Sequence, residues 1–251
     1  MSDREMVPPS FTEDHLLGGR IRVRQPADGY RAAIDPVFLA AAVAAEAHQH
    51  VLDVGCGAGA AMLCLAARVP DCRVVGLEMQ RDLVRLAGDN AILNGVETRV
   101  SVMIGDLLQP PPRISPGSFD HVMANPPYNE PGRGAPARGN KGGATIEGDA
   151  DLAAWVHFCL AMARSKGTVT FIHRADRIDA LLGQIAGRAG EVVVFPLWAG
   201  QGRAASRVLV RARKQIAAPA RLAPGLVLHE ADGSFTAAAE AVLREARGLD
   251  L

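Results

Sequence analysis

The sequence predicts an α/β protein: an open, mostly parallel, seven-stranded sheet with helices on both faces. Three observations carry that expectation. Strand and helix signals alternate from residue 50 onward, the pattern of strands joined by helical crossovers. The first strand of the series, Val51–Val54, runs into Gly55-Cys56-Gly57-Ala58-Gly59 and then a helix, a turn in which glycines allow a sharp bend and a close backbone approach to a ligand. The apolar strand Phe119–Ala124 stops at Asn125-Pro126-Pro127-Tyr128. Each proline lacks the N–H a ladder needs and fixes φ near about −65°, so the chain leaves the sheet at its carboxyl edge, where open α/β sheets bind ligands.

The elements follow in order. After the glycine turn come the helix Ala58–Arg68, the strand Arg73–Leu77 ending at Glu78, and the amphipathic helix Asp82–Asn94, stopped by Asn94-Gly95. Arg99–Ile104 and Phe119–Ala124 are the third and fourth strands. Leu152–Ala163 is helical, Thr168–His173 a fifth strand, Arg177–Ala186 a helix, and Val192–Leu197 and Arg207–Arg211 the last two strands. Ahead of this core (residues 49–214), residues 1–48 form a strand-and-helix extension. Ile21 and Val23 alternate with Arg20, Arg22 and Arg24 along the strand Gly19–Gln25, and Asp35 caps the helix Val37–Ala47 with Pro36 in its first turn. Residues 215–251 are expected to add a hairpin, Leu226–Glu230 with the Asp232-Gly233 turn, and a terminal helix, Phe235–Ala246. The segment 129–150 is long, rich in Gly and Pro and nearly without apolar residues; a stretch of that kind in a compact domain is usually functional.

The 251 residues are 49% hydrophobic and carry zero formal net charge, so a polyanion would have to meet a local basic patch rather than a global field. The four cysteines, Cys56, Cys64, Cys72 and Cys159, show no Cys-x-x-Cys spacing, which argues against zinc and fits a reducing cytoplasm. No apolar stretch approaches the ~18 residues of a membrane span, and the polar N-terminus lacks the apolar core of a signal peptide. A cytoplasmic protein without metal is expected, as monomer or homodimer.

The chemistry concentrates at strand ends. The Asn125 amide oxygen and the Pro126 carbonyl can accept hydrogen bonds from an –NH2, and the Tyr128 ring can lie against a flat π system. Such a bend suits a planar group bearing an amino nitrogen. The glycine turn directs helix N–H groups at an anionic group. With Glu78 ending the next strand, it also satisfies a dinucleotide fingerprint, Gly-x-Gly-x-x-(Gly/Ala). The turn alone therefore leaves a nicotinamide cofactor and an NAD(P)-dependent oxidoreductase open. Asp53, just before the glycines, and Gly105-Asp106, at the third strand's end, are the further acids of this edge. Arg20, Arg22, Arg24, Arg207, Arg211 and Arg213 on strand faces, and Arg133, Arg138 and Lys141 in the glycine-rich loop, could meet phosphates or simply be solvated.

Asn125-Pro126-Pro127-Tyr128 resembles the (Asn/Asp/Ser)-Pro-Pro-(Tyr/Phe/Trp) signature of S-adenosylmethionine-dependent amino-group methyltransferases. The glycine turn, Glu78 and Asp106 stand in the order of class I (Rossmann-like) enzymes of that kind. The N-terminal segment Leu17–Ala40, Ile172–Arg177 and Arg207–Lys214 further resemble the bacterial tRNA1(Val) adenine-37 N6-methyltransferase family, over most of residues 16–214. The resemblance implies S-adenosylmethionine as cofactor and S-adenosylhomocysteine as product, with Asp53, Gly55, Gly57 and Gly59 around the methionine part, Glu78 at the ribose, Asp106 at the adenine and Asn125 beside the methyl. It implies Asn125, Pro126 and Tyr128 as the catalytic set and an RNA substrate, tRNA first. Arg22, Tyr30, Asp35, Arg133, Arg138, Lys141 and Arg211 are the residues expected to meet that substrate. A glutamine amide in a protein would use the same two acceptors, as in the release-factor enzymes. Those normally carry a helical domain before the core, whereas the fifty residues here read strand then helix. A non-catalytic binding module is the remaining alternative, and the intact Asn125, Tyr128, Glu78 and Asp106 argue against it.

Overall fold

The computed structural model describes residues 11–27, 33–128 and 150–251. Its centre is the sheet that the alternating signals imply. In chain order the main strands are β3 (His50–Val54), β4 (Arg73–Glu78), β5 (Val100–Ile104), β6 (Phe119–Ala124), β7 (Ala163–Arg174), β8 (Ala189–Trp198) and β9 (Ala205–Lys214). They lie side by side as β8-β9-β7-β6-β3-β4-β5. All pairs are parallel except those of β9, which runs antiparallel to β7 and β8. Seven strands thus match the expectation, and two further two-residue strands, β10 (Arg221–Leu222) and β11 (Leu226–Val227), pair with β8 at the edge. The order reverses between β3 and β6, so ligand chemistry belongs at the carboxyl ends of those strands.

Helices α1 (Asp35–Ala42), α2 (Ala60–Arg68) and α3 (Arg81–Leu93) cover one face with the terminal helix α6 (Ala237–Glu245). Helices α4 (Leu152–Met162) and α5 (Ile178–Ile185) cover the other. Both layers are apolar where they meet the sheet. Phe38 and Leu39 of α1 are fully buried, each contributing about 1.5–3 kcal/mol by burial.

The extension differs from the single strand expected. β1 (Phe11–Leu16) and β2 (Ile21–Pro26) form a separate antiparallel hairpin. The polar alternation of β1 hid it, because neither of its faces is buried. β2 docks on α3 through two asparagine amides. Asn94 Oδ1 accepts from the Arg22 N–H at 2.9 Å and its Nδ2 donates to the Arg22 carbonyl at 2.7 Å; Asn90 does the same for Arg24 at 2.9 Å each way. A helical i, i+4 rise of ~6 Å matches two residues of strand, so side chains complete the ladder that β2 lacks. Asn90 Nδ2 also donates to the Ala58 carbonyl at 2.9 Å, which ties the hairpin to the glycine turn.

Three further expectations are corrected. Asp35 does not cap α1: Ile34 precedes the helix in the helical region and no side-chain cap forms, because the Asp35 carboxylate turns to other partners. The helix ends at Ala42, where Val43 is extended and Arg68 Nη2 takes the Ala40 and Val43 carbonyls. The C-terminal hairpin is instead the parallel β11 and a single bridge, His229–Phe235, around the turn, closed by the two stacked rings at 4.6 Å. No helix among the described residues is long and apolar enough to cross a membrane.

Candidate active site

The carboxyl ends of β3, β4 and β5 build one half of the site. Gly55, Gly57 and Gly59 all have positive φ, at 68°, 56° and 90°, but they are glycine for different reasons. A Cβ on Gly55 would lie 2.4 Å from Trp155 of α4, and one on Gly59 would lie 2.6 Å from Met62. Nothing lies within 4 Å of a Cβ built on Gly57. The rigid Trp155 ring requires glycine at 55, whereas at 59 the flexible end of Met62 can yield and the φ of 90° is the constraint; the open space above Gly57 is where a ligand can approach the backbone.

Glu78 is buried at the end of β4 and bridges the turn, its two oxygens accepting from the Gly57 N–H at 3.0 Å and the Gln80 N–H at 2.9 Å. Each oxygen keeps acceptor capacity for a diol. Asp106 holds a local turn, with Oδ1 accepting from the Leu108 N–H at 2.9 Å. Met79, Ile104 and Leu108 are exposed apolar side chains on these same strand ends, a flank suited to an aromatic ring that the sequence reading did not single out. Asp53 is 2% exposed, and its Oδ2 has no hydrogen-bond partner. Burial pushes its carboxyl up to about 8, with the Met62 N–H opposing and Glu78 adding to the shift. A buried, unsatisfied acid beside an open glycine fits a cationic ligand such as an amino acid ammonium. These residues fit S-adenosylmethionine.

The end of β6 builds the other half. The Tyr128 hydroxyl lies 2.8 Å from Asp35 Oδ2 and within hydrogen-bond distance of the Asn125 amide oxygen. Arg207, at the start of β9, donates from Nε to the same Asp35 oxygen at 2.9 Å and lays its guanidinium 4.7 Å over the Tyr128 ring. Burial works to lower the Arg207 pKa, but the Asp35 carboxylate outweighs it and the net shift is upward. Arg177 donates to the Tyr128 carbonyl at 3.2 Å. His173, fully buried at the end of β7, meets the ring edge-on with centroids 5.5 Å apart. Burial, with Arg177 nearby, drives its imidazole down to about 4, so it is neutral. Pro126 is buried. Asn125 and Tyr128 are thus held from α1, β7, the turn after it, and β9.

Of the residues expected to meet substrate, Asp35 joins this cluster. Arg22 lies elsewhere, its backbone bracketed by Asn94 at the end of α3 remote from the carboxyl edge and its Nε 2.8 Å from Glu13. Arg211 faces the amino-edge cavity with Gln49, Asp120 and His121 and donates to the Leu251 carbonyl. Tyr30, Arg133, Arg138 and Lys141 fall outside the described residues. Arg207, read from sequence only as a strand arginine, is the member of the cluster not assigned to the site from sequence, since nothing local marks its pairing with Asp35.

The fold and the order of these strand-end groups define the class I methyltransferase architecture. A predicted O-methyltransferase from Agrobacterium tumefaciens superposes with a TM-score of 0.72 at 24% identity, over 86% of this chain and 98% of that one. Residues 33–137 match the family model for the methyltransferase small domain. The resemblance read from the N-terminal segment and Asn125–Tyr128 is borne out. The chain is 35% identical over 92 residues to the tRNA1(Val) (adenine(37)-N6)-methyltransferase of Porphyromonas gingivalis, 36% of each protein. It is 27% identical to that of Aeromonas hydrophila over 90% of this chain and 91% of the relative. A release factor glutamine methyltransferase from Aliivibrio fischeri is 38% identical over 81 residues, 32% of this chain and 27% of that protein. The chain spans about a third of the length of the first curated relatives it matches.

Proposed function

We propose that the chain is an S-adenosylmethionine-dependent methyltransferase that methylates the exocyclic N6 amine of an adenine in structured RNA, tRNA foremost, in the cytoplasm. The observation that carries the reading is the Asn125–Tyr128 bend, held at the switch point beside the open Gly57 turn. Similarity over nine-tenths of the chain to a tRNA adenine enzyme supports the acceptor.

The cofactor supplies a methyl group on a sulfonium, already an activated electrophile. The chain's task is then to bind, orient and exclude water. Glu78 and Asp106 would hold the nucleoside and Asp53 the ammonium end. Asn125 Oδ1 and the Pro126 carbonyl would accept the two N–H groups of the target amine, drawing its lone pair out of the ring plane and along the line to the methyl. The amine would gain the methyl that the sulfonium loses, and its surplus proton would be held by those two acceptors until it leaves to solvent as the product departs. Arg207 lies over the Tyr128 ring and His173 stands at right angles to it. A flipped base would stack on the ring surface these two leave open.

Labelled cofactor incubated with RNA, DNA and protein fractions tests the assignment. Label in RNA supports it. Label in protein favours the glutamine reading, and label in none overturns both.

A further inference from the structure

We propose that the open cavity at the amino edge of the sheet binds a phosphate group, either free or as a monoester on a small molecule. It lies at the strand ends opposite the bend and the glycine turn, so it does not depend on the function proposed above. Its volume of about 260 Å³ is ample for a phosphate and short of most cofactor sites. Arg164, Lys166, Arg211 and Arg213 line it, against two carboxylates, Asp120 and Glu191. Asp250 and Arg221 act on Arg211 with opposite sign. His121 is a buried, neutral part of the wall. Its Nδ1 lies 2.7 Å from Thr168 Oγ1 and its Nε2 2.8 Å from Gln49 Oε1, and burial lowers its pKa to about 4. Four cations against two anions leave an excess that matches a phosphate dianion, in a chain whose formal net charge is zero.

Two irregularities of the sheet bring these side chains together. Between the pairs Phe119–Ala163 and His121–Thr168, residues 164–167 of β7 face Asp120 alone, and Lys166 there has a φ of 60°. Between the pairs Gly190–Arg213 and Val193–Arg211, β8 carries one extra residue, and Glu191 there has a φ of 50°. Bulges re-aim side chains and gather beside functional sites. The left-handed conformation is unfavourable for both residues and persists where the surroundings impose it. Packing gives no reason for a lysine at 166: it is exposed, and its ammonium has no partner among the described residues. The arginines are already oriented. Arg164 Nε donates to Asp120 Oδ1 at 2.6 Å, Arg213 Nη1 to Glu191 Oε2 at 3.1 Å, and Arg211 to the Leu251 carbonyl. Each keeps further N–H donors in a planar fork suited to phosphate oxygens. The two carboxylates on the rim would repel an extended polyanion, which favours a single phosphate over a length of nucleic-acid backbone.

Thermal melts and calorimetry with inorganic phosphate, uridine 5′-monophosphate and uridine, each against chloride at equal ionic strength, test the assignment. At about ten times Kd, phosphate should raise the wild-type melting temperature by about 3 °C, and uridine should do nothing. Equal affinity for phosphate and the monophosphate assigns free phosphate as the ligand; tighter binding of the monophosphate assigns a phosphorylated small molecule. Lys166→Glu should abolish the shift. Lys166→Gly removes the ammonium and the unfavourable φ together. It should melt within about 2 °C of wild type yet bind phosphate about tenfold more weakly, which a purely structural lysine would not do. No shift in the wild type beyond the chloride control, or a shift that both variants retain, overturns the proposal. So does tRNA binding that Lys166→Glu abolishes while phosphate leaves the wild type unmoved, which would make the cavity a nucleic-acid contact.

Discussion

The two halves of the carboxyl edge are built in opposite ways. In the cofactor half every group sits within a few residues of the strand that presents it, and the key contact, Gly57 N–H to Glu78, joins neighbouring parallel strands. In the acceptor half a four-residue bend is fixed by residues remote in the chain. Asp35 lies 93 positions before Tyr128, and Arg207 lies 172 positions after Asp35. On the proposed function, binding of the cofactor would be a local property of strand ends, whereas transfer would need the complete tertiary assembly. The difference teaches where each function should fail first.

The sharpest break between the halves is Asn125→Ala. Turnover should fall by about 10²–10³-fold while the cofactor Kd by calorimetry stays within about twofold; a large loss of affinity would contradict the division. Asp106→Ala should do the reverse, weakening cofactor binding by about 1–3 kcal/mol through lost hydrogen bonds, which titration of S-adenosylhomocysteine reads directly. The glycines sharpen the picture within one turn. Gly55→Ala drives a Cβ to within 2.4 Å of Trp155 at φ 68°, so it should lower stability by about 1–3 kcal/mol in a denaturant melt. Gly57→Ala meets nothing and should cost only about 1 kcal/mol for its positive φ, yet it should impair cofactor binding.

A smaller effect is expected with pH in the protein without ligand. Asp53 is raised to about 8 from an ordinary 3.8, so the folded state holds a proton that the unfolded chain has released, and stability falls as pH climbs toward 8. His121 and His173 are lowered to about 4 from 6.5, so stability they contribute above 6.5 is lost on acidification toward 4. Two imidazoles outweigh one carboxyl below 6.5, and Asp53 acts alone above it. Melting temperature should therefore peak near about pH 6.5, and Asp53→Asn should flatten the alkaline limb. Smallest of all is Arg22→Glu. The Arg22–Glu13 pair is exposed and screened by solvent, and its distance from the bend predicts methylation close to wild type.

The mostly parallel sheet and the strand-end placement of the glycine turn and its acids were legible because each depends on local signals: alternation, glycines at a positive-φ turn, an acid at a strand end. β1 escaped because its own two faces are exposed and half-buried and carry no apolar stripe to read. Asp35 was readable as a helix-opening residue but not as the partner of Tyr128, because Asp-Pro before an apolar run has the form of a cap whatever its carboxylate touches. Arg207 and Arg211 occupy the same strand and look alike in sequence. Only the antiparallel register, with Arg174 opposite Arg207 and Thr170 opposite Arg211, sends one to the bend and the other toward the opposite edge.

The account's central claim is that the bend performs transfer to an adenine amine while the glycine turn binds the donor independently. Nucleoside analysis by mass spectrometry of tRNA incubated with S-adenosylmethionine and either wild type or Asn125→Ala tests it most directly. N6-methyladenosine with the wild type and none with an Asn125→Ala variant that still binds the cofactor is the predicted result; N6-methyladenosine formed equally by both would contradict it.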